Sequence, residues 1–343
     1  MSPSPVPDFG RFAVAVVGDL VADHYLHAEP SRLSREAPVM VLKHRSESIG
    51  AGGAANVARN LRSLGARVEV FGLVGRDASG RELLRTLEAD GAIVDGVLSD
   101  PAWTTPTKTR VVAAEARRFP QQVLRIDKEP EGPVPAELAE RILTGLEERL
   151  HELDALVVSD YDYGLVGQPL AELARRFAAA GKVVVLDPRS TPEGFEGITA
   201  LTPNVGELAR FTGADPDGLD DVGELRRAAR ELWVRAGSLY LLVTRGNLGM
   251  ALFGADLPEE GIAVAASGGS EVTDVSGAGD TAASVFALAL AAGATPAEAM
   301  RLANAASGVV VMENGTAVCT RAELEGALAS CPAPTRLSRA DFR

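Results

Sequence analysis

Short, nearly all-apolar runs alternate along the chain with longer stretches in which apolar residues recur every three or four positions. "FAVAVVGD" (12–19), "RVEVFGLVG" (67–75), "ALVVSD" (155–160), "KVVVLDP" (182–188) and "LYLLVTRG" (239–246) are rich in branched residues. They lack the polar alternation of half-exposed strands, so they predict strands covered on both faces. Residues 53–64, 79–90, 135–150, 168–180, 222–236 and 278–292 have the length and spacing of helices. Such alternation predicts an α/β three-layer sandwich, a mostly parallel sheet with helices on both faces. Several strands end in Gly-Asp, Ser-Asp, Asp-Pro or Thr-Arg-Gly. In open α/β sheets the ligand crevice lies at those carboxyl ends.

Two stretches break this rhythm. Residues 20–50 and about 97–127 alternate without intervening helices, as in "PVMVLKHRS" and "TKTRVVAAEARRFPQQVLRID". They predict a small antiparallel β-sheet added at the ligand end, suited to a lid or a dimer surface. No internal repeat or low-complexity linker divides the chain. A single domain is expected over 12–330, with flexible tails at 1–11 and 331–343.

Composition narrows the partners. The 343 residues are 46% hydrophobic, ample for a core, and carry a formal charge of -13 spread along the chain. That balance disfavours nucleic acid or an anionic membrane as the main partner. It leaves room for a phosphorylated small molecule, which a few local cations and backbone N–H groups can hold. Lysine is confined to Lys43, Lys108, Lys128 and Lys182, so basic work falls mostly to arginine. Cys319 and Cys331 show no pattern of a disulfide framework or zinc site. "MSPSPVPDFGRF" lacks the layout of a signal peptide, and no apolar run of about 18 residues suggests a membrane span. The expected location is cytoplasmic.

Among phosphate-binding motifs, GxxxxGK[ST] is absent. "GAGGAA" (50–55) fits the dinucleotide pattern G-x-G-x-x-A but follows "HRSESI" rather than a buried strand, so its βαβ context is missing. "DVSGAGDT" (274–281) opens a helix with small residues whose N–H groups can form an anion-binding nest, reinforced by the helix N-terminus. A fixed carboxylate would weaken such a cradle, so Asp280 has two readings. It is a first-turn acid that stabilises the helix, or a general base taking the proton of an attacking hydroxyl. Other polar clusters sit at strand ends or helix starts. Asp19 and Asp23 suit sugar hydroxyls, as do Gly52, Gly53 and Asn56 at a helix start. Asn204 and Glu207 in "LTPNVGEL" suit Mg²⁺ and its waters beside phosphates, or merely cap a helix.

"GGAANVARNLRSLGA" (52–66) and "DVSGAGDT" resemble the two signature segments of the ribokinase-like (PfkB-type) carbohydrate kinases. The likeness runs over residues 14–328 and includes "TPNVGE", "LVTRGNLG" and "NAASGVVV". It implies a ribokinase-like sandwich with a β lid that phosphorylates a sugar hydroxyl with ATP and Mg²⁺. By that resemblance Asp280 is the base and Gly277, Ala278 and Gly279 form the anion hole. Asn204, Val205, Gly206, Glu207, Thr244, Gly246, Gly249 and Asn304 would lie along ATP, with Asn204 and Glu207 serving Mg²⁺ partly through water. Asp19, Asp23, Gly52, Gly53 and Asn56 would hold the sugar. Relatives can hold K⁺ beside the position of Asp274, and the inserted β segments suggest a homodimer through the lid.

Within the family, "SRLSREAPVMVL" (31–42), "TKTRVV" (107–112) and "RIDKE" (125–129) are similar to kinases of D-glycero-β-D-manno-heptose 7-phosphate, which act at the C1 hydroxyl in lipopolysaccharide-precursor synthesis. Arg32, Arg35, Lys108 and Arg110 supply the cations that a phosphorylated acceptor requires. The alternative reading of these four is solvated charge on an exposed sheet. The chain departs from that group at "SDYDYG", where Tyr163 stands in place of lysine, at Ser276 for threonine, and at Ser284 for glycine. Many relatives carry a further nucleotidyltransferase domain with an HxGH-like motif, so a stand-alone kinase or a separated half is expected. The alternatives are a kinase of another sugar or sugar phosphate and a non-catalytic sugar-binding regulator; the intact GAGD and NxxE segments weigh against the regulator.

Overall fold

The computed structural model describes residues 6–114, 121–190, 192–269 and 273–338. The chain enters the main sheet at β1 (Ala13–Gly18) and passes directly into the lid strands β2 (Leu20–Leu33) and β3 (Met40–Gly53). It returns through α1 (Ala54–Ser63), β4 (Arg67–Gly75), α2 (Ala78–Ala89) and β5 (Ile93–Asp100). The lid is completed by β6 (Thr107–Ala113) and β7 (Gln121–Lys128). Next come α3 (Ala136–Glu148), β8 (Ala155–Ser159), α4 (Gln168–Ala179), β9 (Val183–Asp187) and β10 (Ala200–Leu201). Then follow α5 (Val205–Thr212), α6 (Val222–Ala236), β11 (Tyr240–Thr244), β12 (Met250–Gly254) and β13 (Ile262–Val264). The last elements are α7 (Ala278–Ala291), α8 (Pro296–Val310), α9 (Arg321–Leu328) and β14 (Thr335–Arg336).

Ten strands form the main sheet in the order β14-β13-β12-β11-β10-β9-β8-β1-β4-β5. From β5 to β11 every pairing is parallel; β12, β13 and β14 close one edge antiparallel. The period of two along β1 divides its side chains cleanly. Val14 and Val16 join one buried cluster with α1, α7 and α8, whereas Ala15 and Val17 join the other with α4 and α6. Each of the five strands expected from apolar runs is present, β4 over its full expected length and the other four trimmed by one or two residues at one or both ends. α7 is buried nearly all round, which is why its sequence is apolar on every face.

The lid has the order β3-β2-β6-β7, and here the expectation needs correcting. β2 pairs with β6 in parallel, so the patch is mixed rather than antiparallel. The cause is connectivity: β6 arrives after β4, α2 and β5, not through a hairpin. β5 belongs to the main sheet, so residues 97–100 are not lid. Residues 115–120 of the expected lid lie outside the described residues.

The expected tails are also corrected where they are described. Val6 and Phe9 are buried, and the Arg321 guanidinium donates to the carbonyls of Val6 and Pro7 at 2.8 and 2.6 Å. At the other end β14 adds to β13, and Cys331 and Leu337 are buried. Apolar residues spaced among the prolines are enough to dock both ends. Leu337→Ala is expected to lower unfolding stability by about 2–4 kcal/mol, read as the urea midpoint; an unchanged midpoint is the result a loose tail would give.

Candidate active site

Three adjoining cavities lie at the carboxyl ends of the parallel strands. The largest two hold about 920 and 1050 Å³, and a smaller one of about 220 Å³ shares walls with both. The first is bounded by lid residues Asp23, Lys108, Arg110 and Arg125 together with Tyr163 and Asp280. The 1050 Å³ cavity runs along Val205, Gly206, Gly246, Gly249 and Asn304. The small cavity has Tyr161, Arg189, Gly277 and Asp280 in common with the lid cavity, and Asn204, Thr244 and Gly279 in common with the other.

Asp280 stands at the first turn of α7 with 3% of its surface exposed. The Asn56 amide donates to its Oδ2 at 2.9 Å, and the Tyr161 hydroxyl donates to its Oδ1 at 3.0 Å. Burial pushes the Asp280 carboxyl up to about 7, against the pull of those two hydrogen bonds. Burial, and next the Asp280 charge, raise the Tyr161 phenol well above its ordinary value, so it stays a donor. Behind Asp280 the α1–α7 contact is polar. Thr281 donates to Asn60 Oδ1 at 3.1 Å, and Asn60 donates to the Asn56 carbonyl at 3.0 Å. Ser284, where the family carries glycine, returns its hydroxyl to the Asp280 carbonyl at 2.6 Å, so the larger side chain fits without an unpaired group.

The turn before α7 fits an anion cradle. Gly277 has φ 78°, and a Cβ there would lie 2.4 Å from Asn56 Nδ2, so both conformation and space require glycine. The Ala278 N–H turns back to the Val275 carbonyl at 3.3 Å, and the Thr281 N–H bonds to the Gly277 carbonyl. Among the described residues the N–H groups of Gly277, Gly279 and Asp280 have no such partner. Asp274 accepts from the N–H groups of Ser276 and Gly315, at 2.9 and 3.1 Å, and fixes the approach to the turn.

Four residues expected on the sugar wall are elsewhere. Asp19 is buried and lines neither large cavity; its Oδ2 accepts the N–H groups of Tyr161 and Tyr163 at 2.8 and 3.2 Å. Burial raises its carboxyl to about 7 despite those bonds. Its task is to pin the turn that aims Tyr161, a turn whose Asp162 has φ 66°. Asn56 is likewise buried behind Asp280, and a Cβ on Gly52 would strike Asp23 Oδ2 at 2.4 Å. Arg32 is exposed near the far end of β2, nine residues from Asp23, about 30 Å of strand. Asp23, Gly53, Lys108 and Arg110 do line the cavity.

The lid wall is charged and self-compensated. Arg110 pairs with Asp23, whose carboxyl burial raises and Arg110 draws back. Across β6 and β7, Lys108 stands opposite Asp127 and Arg110 opposite Arg125, the latter held by both oxygens of Asp127 at 2.9 Å. Arg125, Tyr161, Asp187 and Arg189 were not singled out from sequence. Arg125 and Asp127 lie in "RIDKE", and their period of two on a lid strand was the signal available.

Asn204 and Glu207 close a capping box on α5: Asn204 Oδ1 accepts the Glu207 N–H, and Glu207 Oε2 accepts the Asn204 N–H, both at 2.9 Å. The capping reading is thus present in the structure; Glu207 also lines the small cavity, where its Oε1 lies 3.7 Å from Arg189 Nη1. Burial raises its carboxyl. Asp187 is beside it, pushed well up by burial and then by Asp280, with Thr202 donating to it at 2.8 Å. These hard oxygen donors fit Mg²⁺. No cluster of three metal-ligating side chains occurs among the described residues, so such an ion would take its remaining ligands from phosphates and water. In the nucleotide-sized cavity Asn304 is tied to the Ala265 carbonyl at 2.9 Å.

Comparison with known proteins gives the family and the fold. The profile of pfkB family carbohydrate kinases matches residues 12–323, and the chain belongs to that family. A relative called Bifunctional protein HldE from Desulfatibacillum aliphaticivorans is 40% identical over 326 residues, 94% of this chain and 64% of its own length. The protein of that name from Gluconacetobacter diazotrophicus is 37% identical over 97% of this chain and 68% of its own. The chain thus spans under two thirds of the first relative. Among solved structures, Arabidopsis thaliana ribokinase complexed with ribose and ATP superposes with a TM-score of 0.70 at 22% identity, covering 92% of this chain and 98% of that one. Phosphofructokinase-2 from Escherichia coli, in complex with substrates and products, gives 0.72 at 21%, covering 93% and 99%. These two establish the ribokinase-like fold.

The buried acid has a thermodynamic signature. A carboxyl raised from 3.8 to about 7 binds more protons folded than unfolded between those values. Stability associated with it falls as pH rises through that window and is lowest above pH 7. Asp280→Asn is expected to raise the thermal midpoint by about 2–5 °C at pH 8, with the gain shrinking towards pH 5. A difference that does not vary with pH would show the acid to be unperturbed.

Proposed function

We propose that the chain transfers the γ-phosphoryl group of ATP to the C1 hydroxyl of D-glycero-β-D-manno-heptose 7-phosphate. The observation that carries this is the position of Asp280 in the wall common to the lid cavity and the small cavity. The acceptor occupies the lid cavity with its phosphate towards Lys108 and Arg110, and Asp23 and Gly53 meet its hydroxyls. The nucleotide lies along Val205, Gly206, Thr244, Gly246, Gly249 and Asn304. Asp280 takes the hydroxyl proton as the acceptor oxygen bonds to phosphorus and the bond to the β-phosphate breaks, releasing ADP. Gly277 and Gly279 offer N–H groups to the charge on the phosphoryl oxygens. Glu207, with Asn204 and Asp187 nearby, would hold Mg²⁺, which would supply neutralisation of the nucleotide phosphates. A base with its pKa near neutrality is well matched to accept a proton and later release it.

A homodimer through the lid is part of the proposal, supported by exposed Leu33, Met40, Leu124 and Ile126. No described helix is long and apolar enough to cross a membrane. Tyr163 favours a second reading, another sugar phosphate. Its hydroxyl donates to Glu129 at 3.2 Å and lies 3.5 Å from Lys108 Nζ, where the heptose kinases carry lysine. ADP release across a panel of sugar phosphates, heptose 7-phosphate included, decides between them.

Two outcomes are expected with heptose 7-phosphate. Asp280→Asn lowers kcat by about 10³-fold or more while ATP and sugar still bind, and wild-type kcat/KM declines as pH falls through about 7, the free-enzyme value of the base. Near-normal turnover in that variant rules out the base assignment. Arg110→Ala raises KM about 10- to 100-fold for a phosphorylated acceptor, with a small change for its unphosphorylated counterpart; equal effects on both would remove Arg110 from the phosphate end.

A further inference from the structure

We propose that Arg189 is a catalytic residue whose guanidinium engages the phosphoryl group as it passes from nucleotide to acceptor. The inference rests on the phosphoryl-transfer reading and adds a group to it. Among the described residues only Tyr161, Arg189, Gly277 and Asp280 line both the lid cavity and the small cavity. Asp280 is the base, Tyr161 holds it, and Gly277 opens the amide cradle. Arg189 is the remaining member and, among the described residues, the one basic side chain in the wall of the small cavity.

Charge there is lopsided. Asp160, Asp187, Glu207 and Asp280 all border the 220 Å³ space, against one guanidinium. Burial raises the carboxyls of Asp187, Glu207 and Asp280, as expected where compensating cations are few. A phosphoryl group bearing negative charge on its outer oxygens needs cations along its path through such a space, and beside the Mg²⁺ that Glu207 would hold, Arg189 is the one this wall supplies among the described residues.

The backbone beneath Arg189 is built, while its side chain is left adaptable. Asp160 Oδ2 accepts the N–H groups of Arg189 and Ser190 at 3.1 and 2.6 Å, and Arg210 donates to the Arg189 carbonyl. Asp160 Oδ1 accepts the Asp162 N–H at 2.9 Å. One carboxylate therefore fixes both the turn that aims Tyr161 at the base and the turn that bears Arg189. The Arg189 side chain is 56% exposed, and its ion pair with Glu207 Oε1 is 3.7 Å long, beyond hydrogen-bond reach. A planar donor fork is thus available for phosphoryl oxygens. Its part in the step is to donate hydrogen bonds to non-bridging oxygens while the proton of the acceptor goes to Asp280.

The competing role is structural, with Arg189 merely offsetting the charge of Glu207. The two differ in kinetics. With saturating MgATP and heptose 7-phosphate, or whichever sugar phosphate the wild type turns over, Arg189→Ala is expected to lose about 10²–10³-fold in kcat, with acceptor KM within about threefold. Arg189→Lys should retain part of that rate, added guanidinium should restore part of it to the alanine variant, and excess Mg²⁺ should restore none. The proposal is overturned by a kcat within about threefold of wild type, by full recovery at high Mg²⁺, or by a loss confined to acceptor KM. Calorimetric MgATP binding checks the alanine variant; if it fails to fold, the lysine variant decides, full activity with unchanged kcat counting against the proposal. Wild-type turnover of a different sugar removes only the heptose assignment, whereas no ATP consumption with any sugar removes the transfer reading and Arg189 with it.

Discussion

Burying the carboxylate of Asp280 at the mouth of α7 is the constraint around which the protein is arranged. An ionised acid out of water is costly unless hydrogen bonds replace its hydration. Two donors do so from opposite sides, Asn56 on α1 and Tyr161 on the turn after β8. Each donor needs its own support. Asn56 is braced by Asn60 and leaves no room for a side chain at residue 277, and Tyr161 is aimed by a turn that Asp19 and Asp160 hold from beneath. The helices on one face, the strand ends in the middle and the glycine turn are thereby tied to one acid.

The lid serves a different electrostatic need. Its inner wall holds cations in pairs with carboxylates, Arg110 with Asp23 and Arg125 with Asp127. Two arginines directly opposite each other across β6 and β7 repel, and the flanking acids offset that repulsion. A phosphate bound on this wall, as proposed, would compete with carboxylates already in place rather than meet bare charge. Affinity there is a difference between two sets of ion pairs, which makes the wall selective about where the anion sits.

Much of the sheet was legible because strands covered on both faces are written as unbroken apolar runs. The five strands and six helices read this way all occur. What was missed was short or differently signalled. β10 has two residues, too few for a pattern, and β14 carries no apolar alternation of its own. α8 and α9 could have been found: Thr295 with Glu298 and Thr320 with Glu323 are capping boxes in the plain sequence. At the site, sequence placed Asp19 and Asn56 near the chemistry but not on the correct side of it. A position at a strand end or helix start says nothing about which way the side chain turns, and both turn inward to hold Tyr161 and Asp280. Arg32 failed for a simpler reason, the length of the strand that carries it.

The small cavity also couples the two ligands. At about 220 Å³ it is the smallest of the three adjoining cavities and shares walls with both of the others. Its wall is common to both large cavities, so in the proposed reaction each ligand reaches into it with its reactive end. One ligand alone leaves part of the space wet, and any water beside Asp280 is itself a nucleophile. Only the pair together dries it. The same small volume therefore sets both how readily the two ends meet and how much ATP is lost to hydrolysis while one of them is missing.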